Sequence, residues 1–277
     1  MSGAFLEEMA SGSHARVREA KLALPEAALA DRARHSPSPP PLRLAAGGFD
    51  LIAELKLRSP AAGPLGAGDA DLAARVTTYA QAGAAAVSVL TEPSRFDGSL
   101  AHLTEAARTL RPLAVPALRK DFLVDPYQVL EARAAGAGGV LVILRMVSPA
   151  TIDALLACAR AHGLFVLLEA FDRRDLEQMH QLVAAHARST TVLAGVNCRD
   201  LATLQVVPER LLELAALLPA GVPHVAESGV TTAADARRIA AAGYELALVG
   251  SALMQASDPA ARTRALLEAG RAARQVA

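Results

Sequence analysis

The 277-residue sequence predicts an α/β protein: a (β/α)8 TIM barrel with an N-terminal helical extension. Two observations lead to this fold class. From Phe49 onwards, short runs rich in apolar and β-branched residues alternate with Ala-rich stretches that have the apolar spacing of amphipathic helices. The alternation repeats eight times, and eight βα units in series commonly close into a barrel of roughly 250 residues.

The predicted strands are short and regularly spaced. They cover residues 50–55, 85–90, 114–118, 139–144, 164–169, 192–197, 223–226 and 245–249. Glycines typical of helix C-caps precede four of them: Gly83, Gly136, Gly163 and Gly243. Residues that commonly begin helices precede three helical stretches: Asp69, Ser148 and Thr231. An open doubly wound sheet is the alternative fold, but the Gly-x-Gly-x-x-Gly that usually follows its first strand is missing from the sequence.

The first 47 residues differ from the rest, so we assign 1–47 to an N-terminal extension and 48–277 to the barrel. Apolar residues at helical spacing predict two short helices, over 5–9 and 15–24, that dock on the barrel. Pro25 is expected to end the second helix, and the proline-rich run 36–41 predicts a stiff, extended connector. A disordered leader is the alternative.

Composition argues against several classes of function. Lys plus Arg and Asp plus Glu number 28 each, and a net charge of zero predicts no binding to nucleic acid or to an anionic membrane. No stretch reaches the ~18 apolar residues of a membrane span. The cysteines, Cys158 and Cys198, are too few for a disulfide framework and favour a reduced, cytoplasmic setting. No histidine or cysteine cluster has metal-ligand spacing, so no metal is expected.

Charged or polar residues end six of the eight predicted strands. In such barrels the active site lies at the carboxyl ends of the strands. Because burying an unpaired charge costs several kcal/mol, six such ends together predict a polar, functional mouth. Its charged members are Glu54, Lys56, Lys120, Glu169, Arg199 and Glu227. Glu54 and Lys56 are two residues apart and should face the same side of the sheet, where an ion pair without a chemical role is the alternative.

Two Gly-Ser pairs follow the last two strands, Ser228-Gly229 and Gly250-Ser251. Loops at this place commonly bind phosphate, because glycine lets backbone N–H groups approach the oxygens and a helix N-terminus favours the anion. A phosphorylated small molecule is therefore the expected ligand. We expect a bulky residue at Gly250 to weaken its binding much more than it slows turnover.

Several sequence blocks together resemble the indole-3-glycerol phosphate synthase family, from about Phe49 to Met254. They are Ile52-Ala53-Glu54-Leu55-Lys56 with Ser59-Pro60, Val89-Leu90-Thr91-Glu92 with Phe96-Asp97-Gly98-Ser99, Leu118-Arg119-Lys120-Asp121-Phe122, Val196-Asn197-Cys198-Arg199-Asp200-Leu201, Glu227-Ser228-Gly229 and Val249-Gly250-Ser251-Ala252-Leu253-Met254. The resemblance implies the tryptophan-biosynthetic ring closure of 1-(2-carboxyphenylamino)-1-deoxyribulose 5-phosphate, with loss of carbon dioxide and water. It also implies that no metal and no organic cofactor takes part.

The resemblance implies a role for each site residue. Lys120 matches the general acid and Glu169 the general base. Lys56 matches a lysine that contacts the substrate and shares acid duty. The remaining catalytic matches are Glu54 and Glu227, which hold the lysines and the substrate, and Asn197, which orients the ligand. The implied substrate contacts are Ser59, Phe96, Phe122, Arg199 and Ser228, and the implied phosphate contacts are Gly229, Gly250 and Ser251.

Three departures from the family pattern leave open a paralogue with a related substrate. The first loop reads Ser59-Pro60-Ala61-Ala62-Gly63, so the lysine usual near Ala62 is missing. Cys198 stands where Asn or Ser is usual, and Arg145 ends the fourth strand where the family usually has an apolar or small residue.

The same strand ends are also compatible with a different chemistry. A Schiff base at Lys120 is the main rival mechanism. Phosphoribosylanthranilate isomerase shares the fold, but a Cys–Asp pair is expected there in place of Lys120 and Glu169. A non-catalytic barrel that binds a phosphorylated ligand or a partner protein would not need both residues. We expect a monomer or a weak homodimer.

Overall fold

The computed structural model describes residues 3–46, 48–59, 63–64 and 72–275, with only the backbone of Ser59 and Pro64. Three residues to which the sequence assigned loop or helix-start roles, Ala61, Ala62 and Asp69, lie outside the described residues. The side chain of Ser59, an expected substrate contact, lies outside them too. Its backbone belongs to a two-residue strand, Arg58–Ser59, that pairs with Gly63–Pro64 above the first barrel strand.

Eight parallel strands close into a barrel within the described part of the chain. They are β1 (Asp50–Leu55), β2 (Ala86–Leu90), β3 (Ala117–Lys120), β4 (Gly139–Ile143), β5 (Phe165–Ala170), β6 (Val192–Asn197), β7 (His224–Glu227) and β8 (Leu246–Val249). Each strand pairs with its neighbours in sequence, and β8 closes the barrel on β1 through pairs such as Ile52 with Leu248. The predicted (β/α)8 TIM barrel is therefore confirmed.

Within the described residues, two helices precede the first strand and the others follow the strands. They are α1 (Gly3–Ala23), α2 (Glu26–His35), α3 (Leu72–Gln81), α4 (Pro93–Phe96), α5 (Leu100–Leu110), α6 (Pro126–Ala134), α7 (Pro149–Ala161), α8 (Arg173–His186), α9 (Glu209–Ala215), α10 (Ala233–Ala241), α11 (Ser251–Met254) and α12 (Pro259–Arg274). None of these described helices is long and apolar enough to cross a membrane.

The predicted helix ends are mostly confirmed. All four C-cap glycines have φ between +68° and +105°, the left-handed conformation that turns a helix into the next strand. Ser148 caps α7 by accepting a hydrogen bond from the Thr151 N–H. At α10 the prediction was wrong by one residue, because Thr232 rather than Thr231 exchanges reciprocal cap bonds with Asp235.

The third strand was predicted three residues too early. Residues Arg111–Leu113 form a 3-10 turn and Ala114 has a φ of 57°, so the backbone enters the barrel only at Ala117. Pro116 lacks the N–H group that a central strand would use. As a result, Lys120 is the last residue of β3.

The N-terminal extension, hereafter the leader, is helical and docks on the barrel, as predicted. The predicted boundaries of its helices were wrong. One continuous helix, α1, replaces the two short ones, and Pro25 is the N-cap of an additional helix, α2. Helix α1 continues through Gly12 because the next residue, the buried Ser13, is fixed by hydrogen bonds to the barrel. Its Oγ donates to the Phe122 carbonyl at 2.5 Å and accepts from Gln128 Nε2 at 2.8 Å. Residues 37–41 form neither helix nor strand, consistent with an extended connector.

Strand alternation separates two apolar cores. Leu51, Ala53 and Leu55 pack outwards under the helices, whereas Ile52 joins the core inside the barrel. Glu54, two residues after Ile52, therefore projects inside as well. The inner core extends to the carboxyl ends of the strands, where Leu6 and Met9 of α1 join it, and there it meets the polar side chains of the candidate site.

Candidate active site

A cavity of about 450 Å³ opens at the carboxyl ends of the strands, and all eight strands contribute to its lining. All six charged residues predicted at strand ends line it. The other predicted site residues that line it are Phe96, Phe122, Asn197, Ser228, Gly229, Gly250 and Ser251. Every predicted site residue with a described side chain is thus brought to one place.

Glu54 is a buried carboxylate between two lysines. Its Oε1 accepts a hydrogen bond from Lys56 Nζ at 2.7 Å, and its Oε2 lies 3.7 Å from Lys120 Nζ. Burial would raise the pKa of Glu54, but the positive charges of the two lysines outweigh it and hold that pKa below its usual 4.5. Glu54 therefore stays ionised and fixes both lysines.

Lys120 is a cation surrounded by carboxylates. Burial would lower its pKa, but the charges of Glu54, Glu169 and Glu227 outweigh burial and raise that pKa above 10.5. Lys120 is therefore protonated at neutral pH and can act as a proton donor.

Two more carboxyl groups, Glu169 and Glu227, end β5 and β7. Asn197 Nδ2 donates to Glu169 Oε1 at 2.6 Å, whereas Glu169 Oε2 and both oxygens of Glu227 have no hydrogen-bond partner among the described residues. Burial raises the pKa of both groups, and the charge of Glu169 raises that of Glu227 further. Glu227 is therefore the carboxyl group in the cavity that retains a proton most readily.

Gly195, in β6, makes room for Glu227. A Cβ atom at this position would overlap Glu227 Oε1. Gly195 was not among the predicted site residues, although a glycine inside a strand is a known signal of close approach by another group.

The loop after β6 is organised by two hydrogen bonds. Asn197 Oδ1 accepts from the Arg199 N–H at 3.0 Å, and Arg199 Nη1 donates to the Leu204 carbonyl at 2.6 Å. Leu204 and Val206 of this loop line the cavity. Neither was predicted, because the segment has no helical or strand periodicity to indicate which side chains face inwards.

An aromatic wall closes the side of the cavity next to the leader. The Phe122 ring centroid lies 6.0 Å from that of Phe5 and 6.2 Å from that of Phe96. Phe5 and its neighbour Leu6, both in α1, also line the cavity. The sequence indicated that the leader docks on the barrel, but not which of its side chains line the cavity.

The two Gly-Ser loops lie on the opposite side. Ser228 and Gly229 have left-handed φ values of 66° and 73°, and Gly250 immediately precedes α11. A Cβ atom at Gly250 would overlap Glu54 Oε1, and one at Gly229 would lie 2.9 Å from Cys198 Sγ. Gly250 is therefore required by packing, and Gly229 both by packing and by its left-handed backbone conformation.

Comparison with known proteins identifies the family. The family model for indole-3-glycerol phosphate synthase matches residues 6–266. Indole-3-glycerol phosphate synthase from Parafrankia sp. (strain EAN1pec) is 44% identical over 96% of both chains, and that from Opitutus terrae is 43% identical over 85% of this chain and 88% of the relative. Among solved structures, 3-hexulose-6-phosphate synthase from Salmonella typhimurium has a TM-score of 0.62 over 81% of this chain and 100% of that chain, and its 16% identity shows the fold alone. The chain therefore belongs to the indole-3-glycerol phosphate synthase family of carboxy-lyases.

Proposed function

We propose that the mouth cavity carries out the reaction of this family: conversion of 1-(2-carboxyphenylamino)-1-deoxyribulose 5-phosphate to indole-3-glycerol phosphate, carbon dioxide and water. The observation that carries the proposal is the protonated Lys120 among three carboxyl groups, between an aromatic wall and two glycine loops. A substrate with an aromatic ring at one end and a phosphate at the other matches this arrangement of walls.

The first step forms a carbon–carbon bond. The ring carbon that bears the carboxylate attacks the ketone carbon, and the ketone oxygen takes a proton. Lys120 supplies this proton, and Lys56, bound to the other oxygen of Glu54, provides a second cation that shares the duty. The raised pKa of Lys120 argues against the Schiff-base mechanism, which needs a neutral amine.

The later steps restore aromaticity. Loss of carbon dioxide returns its bonding electrons to the benzene ring. The new hydroxyl then leaves as water, which requires a proton on that oxygen and removal of a proton from the neighbouring carbon. Glu169 is the proposed base, with Oε1 held by Asn197 and Oε2 free of hydrogen bonds to the described protein. Glu54 holds the two lysines, and Glu227, whose oxygens have no partner among the described residues, is a proposed contact to the substrate.

The substrate's two ends define the proposed binding contacts. The phosphate binds at Gly229 and at Gly250-Ser251, where backbone N–H groups can approach it. The aromatic ring packs against Phe96 and Phe122. The further contacts, carried over from the family, are Ser59, Arg199 and Ser228.

Gly250→Ala is expected to change both kinetic constants. The sequence predicted an effect mainly on KM, but the new Cβ also overlaps Glu54 Oε1, and Glu54 fixes both lysines. We expect KM to rise and kcat to fall by ~10- to 100-fold, the loss typical of a misplaced catalytic group. Gly12→Ala, where no atom lies within 4 Å of the added Cβ, is the matched control. Unchanged kcat in Gly250→Ala would limit this glycine to binding.

Phe5→Ala tests the contribution of the leader to substrate binding. Phe5 supplies one ring of the aromatic wall and no polar group, so KM should rise about three- to tenfold, as expected for an aromatic contact worth ~0.5–1.5 kcal/mol, with kcat nearly unchanged. Leu22→Ala is the control: the Leu22 side chain lies on the same helix, is 88% exposed, and its removal should leave KM unchanged. Equal KM values in both variants would leave the leader with a structural role only.

The direct test is to add the anilino-deoxyribulose phosphate to the purified full-length protein in EDTA and follow indole fluorescence. We expect turnover that EDTA does not reduce, since the proposal needs no metal; within the described residues, no group of three or more His, Cys, Asp or Glu side chains could hold one. Binding without turnover would instead indicate a non-catalytic barrel. Borohydride trapping of substrate on Lys120 would favour the Schiff-base mechanism.

We further propose that the chain works in the cytoplasm as a monomer or weak homodimer. Its partner is then the small phosphorylated substrate. The net charge of zero gives no reason to add nucleic acid or an anionic membrane.

A further inference from the structure

Arg145, the residue that departs from the family pattern at the end of β4, lies behind the wall of the mouth cavity. It belongs to the 3-10 turn Leu144–Met146 and faces a groove between α7 and α8. Two nitrogens of its guanidinium contact one oxygen of Asp175: Nε donates to Oδ2 at 2.8 Å, and Nη2 lies 2.6 Å from the same oxygen. Nη2 also bonds Asp172 Oδ2.

These contacts converge on the segment that directly follows Glu169 in the chain. The guanidinium carbon lies 4.9 Å from the centre of the Phe171 ring, within the range of a cation–π interaction. The Phe171 N–H donates to Asp175 Oδ2 at 2.8 Å, the oxygen that Arg145 binds. Asp172 in turn caps α8 by accepting from the Asp175 N–H. One side chain thus holds the turn from β5 into α8.

Phe171 links this cluster to the mouth cavity. Its ring is buried in the core inside the barrel and lines the cavity. It stands two residues after Glu169, so only Ala170 separates this turn from the residue that β5 presents to the cavity. Arg145 therefore braces, from outside the cavity, the strand end that presents Glu169.

We infer that Arg145 is a positioning residue for Glu169, acting through Phe171 and Asp175 and not by contact with the substrate. The inference rests on the proposed function, in which Glu169 is the general base.

The positive charge of Arg145 should also affect the pKa of Glu169, which can be measured. Burial is the main cause of the raised pKa of Glu169, and the negative charges of Glu54 and Asp175 add to it. Lys120 and the Asn197 hydrogen bond act in the opposite direction, and Glu227 is the other carboxyl group within reach. Arg145 neutralises Asp175, which is only 4% exposed. Burial already raises the pKa of Asp175, and Arg145 opposes that rise. Without the guanidinium, the charge that the ionised Asp175 carries is uncompensated, and it raises the pKa of Glu169 further.

The test is the pH profile of kcat/KM in Arg145→Met. A general base must be ionised, so activity falls as the pH drops through the pKa of Glu169, and a higher pKa moves this acidic limb to higher pH. We expect the limb to move up by ~0.5–1 unit, with kcat at pH 7 lowered about three- to tenfold and KM within about twofold. The double variant Arg145→Met/Asp175→Asn removes both charges, while the amide oxygen can still accept from the Phe171 N–H. It should return the limb to the wild-type position but leave kcat about threefold below the wild-type value, because the contacts of the guanidinium with Asp175 and Phe171 stay lost.

Two further variants complete the experiment. Arg274→Met removes an arginine of similar burial, paired with Glu245 at the other end of the barrel, and should leave the profile unchanged. If Arg145→Met does not fold, Arg145→Lys provides the test: it keeps the charge but loses the paired Nε and Nη2 contacts with Asp175 and the planar face over Phe171. We then expect kcat to fall about threefold with an unshifted limb.

The outcomes separate this inference from the proposed function. Full activity in Glu169→Gln would overturn the assignment of the base itself. If Glu169→Gln is inactive, wild-type kcat and limb in Arg145→Met would overturn the role of Arg145. A loss of kcat in Arg145→Met without a shift of the acidic limb would also overturn it. The same holds for a shift of the limb that persists in Arg145→Met/Asp175→Asn. Wild-type kcat in Arg145→Lys would overturn it in the same way.

Discussion

Replacing Lys120 by methionine is expected to lower kcat by ~10²- to 10⁴-fold, the usual contribution of a general acid, and to leave KM within about tenfold. The ammonium group acts mainly where the ketone oxygen gains its proton, so its loss falls on the transition state more than on binding. Methionine keeps the apolar stem and a similar volume, which limits rearrangement of the cavity. Steady-state kinetics by indole fluorescence measure both constants.

Lys21→Met provides the control for this variant. Lys21, on the leader and outside the cavity lining, forms ion pairs with Glu26 and with Asp125 of the barrel, and its removal should leave kcat unchanged. Lys56, which also contacts Glu54, remains in Lys120→Met and can still donate a proton. If the residual rate of Lys120→Met disappears in the Lys56→Met/Lys120→Met double variant, Lys56 supplies that part of the acid catalysis. A kcat near the wild-type value in Lys120→Met would remove this residue from the mechanism.

Glu169→Gln is expected to have an effect of the same size. Glutamine keeps the shape of the side chain and an oxygen that can accept from Asn197 Nδ2, but it cannot take up a proton. We expect kcat to fall by ~10²- to 10⁴-fold with KM little changed. Glu245→Gln, at the amino ends of the strands, is the matched control. Comparable kcat values in the two variants would exclude Glu169 as the base.

The same residues predict the pH dependence of the wild-type enzyme. The pKa of Glu169 is raised above 4.5, so kcat/KM should fall with decreasing pH on a limb that lies above the usual range of a glutamate. The pKa of Lys120 is raised above 10.5, so loss of the acid should begin only at strongly alkaline pH. Activity is therefore expected to be flat between these limits. A limb below pH 4.5 would contradict the environment described for Glu169.

The sequence predicted the barrel well because the responsible signals are local. Each strand is a short apolar run, and each C-cap glycine marks a backbone conformation that other residues rarely adopt. The candidate site followed from the same signals: once the strands are known, Glu54, Lys120 and Glu169 stand at their ends, and parallel strands bring those ends together. The predicted start of β3 was wrong because Ala114 adopts a left-handed conformation, which is unusual for alanine and is not indicated by the sequence.

Features that depend on distant partners were not predicted. The bonds that carry α1 past Gly12 reach residues more than a hundred positions away, as in the contact of Ser13 with Phe122. Arg145 was recognised as unusual, but nothing local indicates that it meets Asp175 and Phe171 beyond the next helix. Such pairs arise from the closed barrel, and no periodicity in the chain encodes them.

The docking of α1 has a consequence for the order of events during synthesis. Ser13 and Arg16 bind groups on Phe122, Gln128 and Asp121, which lie 105 to 115 residues later in the chain. When α1 leaves the ribosome, the surface that covers its apolar side has not yet been translated. The helix must therefore wait, undocked and open to solvent or chaperones, until β3 and α6 have emerged. The wall that Phe5 and Leu6 provide therefore cannot form before β3 and α6 have been synthesised, although its own residues are made before the rest of the mouth.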